Sequence, residues 1–299
     1  MDISIVIPSF NTQSTIETTL QYLSLQETTA SFEIILVDCS EHDQVRQIAL
    51  QYPKVNYSHR EKRFNPGEGR NIGAKMASGE LLVFIDSDVQ LARHSLQNAW
   101  QHFKQGNNIF GGALELNTRL HADYASYLEH YFFNHESQAL RPACDRANLS
   151  SAFMCIRRST FLDAGGFKDI PRMQDTELTE RLRMMGNNLK FFPDVLAYQT
   201  QDSSFMKVLK KIYIVGQNVY YIRYQPGISH LRKFAIFLLL PVMSGAKTAR
   251  IVFRHLRYQN WKNKFRTLLI TPLLLLGGMY WMTGFYNALL SERGISKDR

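Results

Sequence analysis

The chain has 299 residues, 45% of them hydrophobic and 20% charged, and a formal net charge of +9. That length excludes a peptide or a linker and allows one large domain plus an appendage. Cys39, Cys144 and Cys155 are odd in number and lack metal-ligand spacing, so they suit a reducing compartment as ordinary small apolar residues.

In chain order, Met1-Asp2 leads straight into an apolar run, residues 3–8, that predicts a strand. No basic or apolar leader precedes it, so the expectation is a protein without a signal peptide, with its N-terminal domain in the cytoplasm. Ser14-Thr15-Ile16-Glu17 reads as a capping box opening a helix to about Leu25. Residues 32–37 repeat the apolar run and end at Asp38, a helical stretch follows to about Gln51, and residues 55–57 give a short strand. Pro66-Gly67-Glu68-Gly69 reads as a glycine-bearing loop that opens a helix, and residues 81–85 form a buried strand ending in Asp86-Ser87-Asp88. Runs apolar on both faces, separated by helices, predict a parallel sheet covered on both sides, with ligands at the strand C-terminal ends. The pattern then changes to a strand over 109–116, a helix around 124–133 and a strand around 152–157. A helix from about Asp175 buries Leu178, Leu182 and Met185 and stops at Gly186. A domain boundary near Asp202 divides 1–204 from a basic and apolar region, 205–299.

That region carries Lys207, Lys210, Lys211, Arg223, Arg232 and Lys233, followed by Lys247, Arg250, Arg254, Arg257, Lys262, Lys264 and Arg266. Basic residues alone fit nucleic acid or anionic lipid, but the charge-free runs 234–245 and 267–290 lie among them. Membrane lipid, and no nucleic acid, is therefore the expected partner. The second run reaches about 36 Å as a helix, against a hydrocarbon core of about 30 Å, so it is expected to span. The first is too short and, with Pro241, reads as interfacial or re-entrant, while Pro272 and Gly277-Gly278 leave a bent hairpin open. Residues 205–224 predict an amphipathic helix leading into this part, and the cell inner membrane is the expected location.

Asp86 and Asp88, one residue apart at a strand mouth, would point to the same side if the backbone stays extended. Such paired hard oxygens suit Mg²⁺ or Mn²⁺ bound together with substrate phosphates, although Asp-x-Asp is also turn chemistry. Arg70, Asn71 and Gly73 follow the glycine-bearing segment, which would bring backbone donors and a guanidinium near a phosphate, or be a plain turn before a capped helix. Gly67, Gly69 and Gly73 are spaced one residue too long for a dinucleotide fingerprint. Asp175 sits at the positive end of its helix, where capping is the ordinary role.

Together, Ser4-Ile-Val-Ile-Pro-Ser-Phe-Asn11, Asp38, Gly69-Arg-Asn-Ile-Gly-Ala74, Ala77-Ser-Gly-Glu80, Phe84-Ile-Asp-Ser-Asp88 and Gln174-Asp-Thr-Glu-Leu-Thr-Glu-Arg-Leu-Arg183 occur in order. In this the chain resembles family 2 glycosyltransferases of the GT-A fold, from Ile3 to about Gln199. The resemblance implies a Rossmann-like α/β fold, with a mostly parallel sheet between helices, and inverting transfer of a sugar from a nucleotide diphosphate donor. It implies a donor site of Pro8, Asn11, Asp38, Arg70, Asn71 and Asp86, a metal at Asp88 and Asp86, and Asp175 as catalytic base. The C-terminal region points to a lipid-linked saccharide or a surface polysaccharide precursor as acceptor. Two departures stand out: Gln174 replaces the family's usual Glu, and Ala197-Tyr-Gln-Thr-Gln201 lacks a His that many members carry, with Gln199 or water as its replacement. A metal-dependent nucleotidyltransferase and a non-catalytic, membrane-docked nucleotide-sugar-binding protein are the competing readings.

Overall fold

The computed structural model describes residues 1–119, 122–170, 172–224 and 228–291. In chain order its elements are β1 (Ile3–Ser9), α1 (Ile16–Ser24), β2 (Phe32–Asp38), α2 (Gln44–Ala49), β3 (Val55–His59), α3 (Pro66–Met76) and β4 (Leu81–Ile85). After them come β5 (Val89–Leu91), α4 (Ser95–Lys104), β6 (Ile109–Leu116), α5 (Tyr124–Asn134), β7 (Cys144–Asp145), β8 (Phe153–Arg157) and α6 (Arg158–Asp163). The chain continues through α7 (Gln174–Met184), β9 (Lys190–Gln199), α8 (Phe205–Arg223), α9 (His230–Tyr258) and α10 (Trp261–Ser291). These form two compact units. The first is Met1–Glu115, Arg141–Asp169 and Gln174–Thr200; the second is Leu116–Leu140, Ile170–Met173 and the segment from Gln201 on.

In the first unit a mixed sheet runs in the order β3-β2-β1-β4-β8-β6-β9-β5, with β7 paired to β9. The expected α/β class holds. The continuous apolar runs become the central parallel strands β2, β1 and β4, because only strands covered on both faces can bury nearly every residue, while the short β3 pairs parallel to β2 at the sheet edge. Ile5, Ile7, Leu36, Val83 and Ile85 are fully buried on one side, and Val6, Ile35, Val37, Leu82 and Phe84 on the other. Each such side chain contributes about 1.5–3 kcal/mol relative to exposure. Ser9 pairs with Asp38 and Val6 with Phe84, so the C-terminal ends of β1, β2 and β4 finish along one edge. The antiparallel β8 starts there, since Phe153 pairs with Ile85.

Three local expectations are corrected. Ser14 does not cap α1: the N-cap is Thr15, without a side-chain capping bond, and its hydroxyl turns back to the Thr12 carbonyl (3.3 Å). Residues 66–69 are not a loop but the first turn of α3, capped by Asn65, whose Oδ1 accepts from the Glu68 N–H (2.9 Å). The glycines of α3 serve close packing: a Cβ on Gly73 would lie 2.3 Å from Val6 Cγ1, and one on Gly69 2.6 Å from the Phe64 ring. Finally, residues 86–88 are not extended. Val89 N–H donates to the Asp86 carbonyl (3.1 Å), which makes a tight turn between β4 and β5.

The second unit is a cluster of α5, α8, α9 and α10 around Leu128, Phe132, Ile212, Leu240, Leu274 and Phe285. The bent hairpin that Pro272 and Gly277-Gly278 left open does not form: α10 is one helix that runs through all three residues. Its glycines are contact points: Gly278 accommodates Thr248 and Ser244, and a Cβ on Gly284 would lie 2.0 Å from the Tyr213 carbonyl. Close approach, not bending, accounts for the small residues.

Candidate functional site

The edge where β1, β2 and β4 end carries two groups of polar side chains, both in the first unit. In the first group, Asp38 is fully buried at the end of β2. Its carboxylate accepts from Ser40 Oγ (2.6 Å) and from the Tyr57 hydroxyl (2.9 Å), with His59 Nδ1 at 3.7 Å. Burial first, and then the Asp38 carboxylate, push the Tyr57 phenol above its ordinary value, so it remains a donor. Asn11 follows β1 in a left-handed conformation (φ 53°), and its N–H donates to Ser40 Oγ (2.8 Å). Pro8, near the end of β1, pairs with Val37. Pro8, Asn11 and Asp38 therefore sit together. Ser40, Tyr57 and His59 were not legible as partners because none belongs to a motif.

In the second group, Arg70 lies buried on α3 and pairs through Nη2 with Asp86, while its buried Nε has no hydrogen-bond partner among the described residues. The Asp86–Val89 turn sends Asp88 elsewhere, to Gln199. The Gln199 amide nitrogen lies 3.2 and 3.4 Å from the two Asp88 carboxylate oxygens. Sheet register fixes this meeting, since Val89 pairs with Gln199 and Thr200 N–H donates to the Asp88 carbonyl (2.9 Å).

Asp175 is not the N-cap of α7 but lies within its first turn. One carboxylate oxygen accepts from the Thr176 N–H (2.8 Å) and the other from the Ser151 N–H (3.3 Å), just before β8. Burial raises its pKa above the ordinary Asp value, and the nearby Asp86 charge adds to this. The two backbone donors and Arg70 oppose it. Beside it, buried Gln174 donates from Nε2 to Asn65 Oδ1 (2.7 Å), the same atom that caps α3, while Asn65 Nδ2 donates to Asp169. Gln174 thus ties the first turn of α7 to that of α3. The backbone of 66–73 is helical rather than a loop, and its Glu68 and Gly69 N–H groups are taken by Asn65. Asn71 engages both amide atoms with Phe167, donating to its carbonyl (2.7 Å) and accepting from its N–H (2.8 Å). It pins the turn at Gly165 and Gly166 to α3.

No group of three or more His, Cys, Asp or Glu side chains that could hold a metal occurs among the described residues. Asp88 with the adjacent Gln199 amide, and Asp86 across the turn, offer hard oxygen donors of the kind that hold Mg²⁺ or Mn²⁺ when substrate phosphates complete the shell.

A protein-family model described as glycosyl transferase family 2 matches residues 4–163. The chain belongs to this family. It is 24% identical over 247 residues to the glycosyltransferase AglE of Haloferax volcanii, an alignment covering 80% of each protein. It is 33% identical over 104 residues to the poly(ribitol-phosphate) beta-N-acetylglucosaminyltransferase TarS of Staphylococcus aureus. That alignment covers 33% of this chain and only 18% of TarS. Among solved structures, TarS 1-349 in complex with UDP-GlcNAc aligns with a TM-score of 0.56 at 15% identity, over 98% of this family member and 92% of that chain. The mannosyltransferase PcManGT of Pyrobaculum calidifontis, in complex with GDP-Man and Mn2+, aligns with a TM-score of 0.62 at 15% identity, over 97% and 88%. At such identities these structures establish the fold alone, and that fold is GT-A.

Proposed function

We propose that this family 2 member is an inverting, divalent-metal-dependent glycosyltransferase. It moves a sugar from a nucleotide diphosphate donor to a hydroxyl of a lipid-linked saccharide or a surface polysaccharide precursor. Residues 1–204 form its catalytic domain and 205–299 dock it to the inner membrane, with the catalytic domain cytoplasmic. The observation that carries the reading is that the Arg70–Asp86 pair, Asp88 beside Gln199 and a pKa-raised Asp175 all lie at the C-terminal edge of the parallel strands. TarS and PcManGT, which share the fold, were solved as complexes with UDP-GlcNAc and with GDP-Man and Mn2+.

Pro8, Asn11 and Asp38 would receive the nucleoside, and Arg70 and Asp86 the sugar-diphosphate side. Asn71 would act by holding the loop at Phe167. Asp88 and Asp86 would hold Mg²⁺ or Mn²⁺, which when bound neutralises charge on the departing diphosphate. Asp175 would take the proton of the attacking hydroxyl. Its two oxygens are oriented by fixed backbone donors, and its raised pKa brings it closer to the value suited to a general base. In-line attack then inverts the anomeric carbon without a covalent enzyme intermediate.

A screen of nucleotide sugars with Mg²⁺ and Mn²⁺ tests this by the product released. Free nucleoside diphosphate is expected. Nucleoside triphosphate formed from the nucleotide sugar only when pyrophosphate is added would instead establish a nucleotidyltransferase, and donor binding without any turnover would establish a binding protein.

A further inference from the structure

Helices α9 and α10 are each long and apolar enough to cross a membrane. Within the second unit they pair antiparallel: Ser244 Oγ donates to the Gly278 carbonyl (2.7 Å) and the Tyr286 hydroxyl to the Phe237 carbonyl (2.8 Å). On α9, Leu231, Phe234, Leu238, Val242 and Phe253 are exposed at helical spacing, a charge-free stripe about 33 Å long. On α10, Phe265, Leu268, Pro272, Leu275, Met279 and Leu290 form a second exposed stripe. On α9 the stripe lies about a third of a turn beyond the positions that meet α10, and on α10 about a quarter of a turn beyond those that meet α9. Both offsets run in the same rotational sense, and in antiparallel helices this brings the two stripes to one side of the hairpin.

The other side is covered. Gly277 packs on Ile212, Gly216 on Trp281, and Tyr220 on Phe285 with ring centroids 5.7 Å apart. Each pair is 65 positions apart, so α8 lies parallel to α10 and sets Lys210 and Lys211 level with Leu275 and Leu276, mid-way along the charge-free run. Lys211 pairs with Glu129 of α5, and Lys207 and Lys210 are exposed. If α10 crossed a bilayer in this packing, these charges would enter the hydrocarbon with it, a costly arrangement.

We infer that the α9–α10 hairpin lies flat in one leaflet of an anionic bilayer, burying the shared apolar stripe, and does not cross it. Exposed Arg232, Arg250, Arg257 and Lys262 flank the stripe and meet the anionic headgroups. This rests on the membrane-docking part of the proposed function and specifies how the docking is made. The assay is flotation of the full chain with phosphatidylglycerol-containing vesicles, combined with an impermeant maleimide. The wild type is expected to float. Leu238→Glu with Val242→Glu, or Leu275→Glu with Met279→Glu, should lower the bound fraction at least tenfold with an unchanged circular dichroism spectrum. In a Cys144→Ser background, Asn260→Cys and Ser291→Cys mark the two ends of α10, at exposed positions outside the stripe. On sealed vesicles both should label from outside as fast as after detergent. A wild type that stays unbound, or that self-associates through the stripe instead, removes the membrane reading altogether. Flotation with one end protected until detergent is added leaves membrane docking intact and overturns the flat arrangement alone, and so does flotation unaffected by the glutamates.

Discussion

Replacing Gln174 with Glu changes one atom and tests the link between α3 and α7. Asn65 Oδ1 already accepts from the Glu68 N–H and needs a second donor, which Gln174 Nε2 supplies at 2.7 Å. A carboxylate there would face that oxygen acceptor to acceptor in a buried site. Losing the bond and leaving the groups unpaired costs about 1–3 kcal/mol, which for a chain of this size lowers Tm by about 2–4 °C per kcal/mol. Protonation of the introduced carboxyl recovers a donor, so its folded pKa is raised above the unfolded value of about 4.3. The folded state then binds more protons than the unfolded one, and stability falls as pH rises through that window. Melts of wild type, Gln174→Glu and Gln174→Ala across pH should show the Glu penalty shrinking toward acid and the Ala penalty staying flat. Equal Tm for Gln174→Glu and wild type at neutral pH would refute the assigned role of the Gln174–Asn65 bond.

Other outcomes follow from the same geometry. Gly73→Ala sets a methyl 2.3 Å from Val6 Cγ1 and should destabilise by about 1–3 kcal/mol in chemical denaturation, with an unchanged stability counting against the close α3–β1 packing. Asp88→Ala should abolish metal-dependent donor turnover while the melt stays cooperative; turnover that survives, with chelator still inhibiting wild type, would remove Asp88 from the site. Because burial raises the Asp175 pKa, the acid limb of kcat should lie above the ordinary Asp range, and activity should rise as pH climbs through it. A limb at the ordinary value would contradict the buried carboxylate.

The sheet was legible because its central strands are buried on both faces and therefore read as unbroken apolar runs: residues 81–85 and 109–116 are β4 and β6 to the residue. What the local pattern could not resolve was non-local. Glycine spacing at 67, 69 and 73 looks the same in a loop and in a helix pressed against a strand, and only Val6 and Phe64 on the facing side decide between them. Asp86 and Asp88 were found by type, but the turn that sends one to Arg70 and the other to Gln199 depends on pairing between β5 and β9, over a hundred residues apart. The Asp175 partner Ser151 and the Gln174 partner Asn65 are likewise brought together only by the fold. In the second unit, charge-free length marked α10, whereas α5 lies far away in sequence and gives no sign that it packs with the C-terminal helices.

The claim that Asp175 is the base is tested most directly by Asp175→Asn, read as transfer rate and nucleoside diphosphate affinity on one folded preparation. Asn keeps a single acceptor for the two backbone donors of Thr176 and Ser151, so a stability loss on the order of 1 kcal/mol is expected in either case. If Asp175 takes the acceptor proton, transfer should fall by about 10²-fold or more while nucleoside diphosphate affinity is nearly kept. Transfer close to wild type, at that modest loss of stability, would contradict the mechanism.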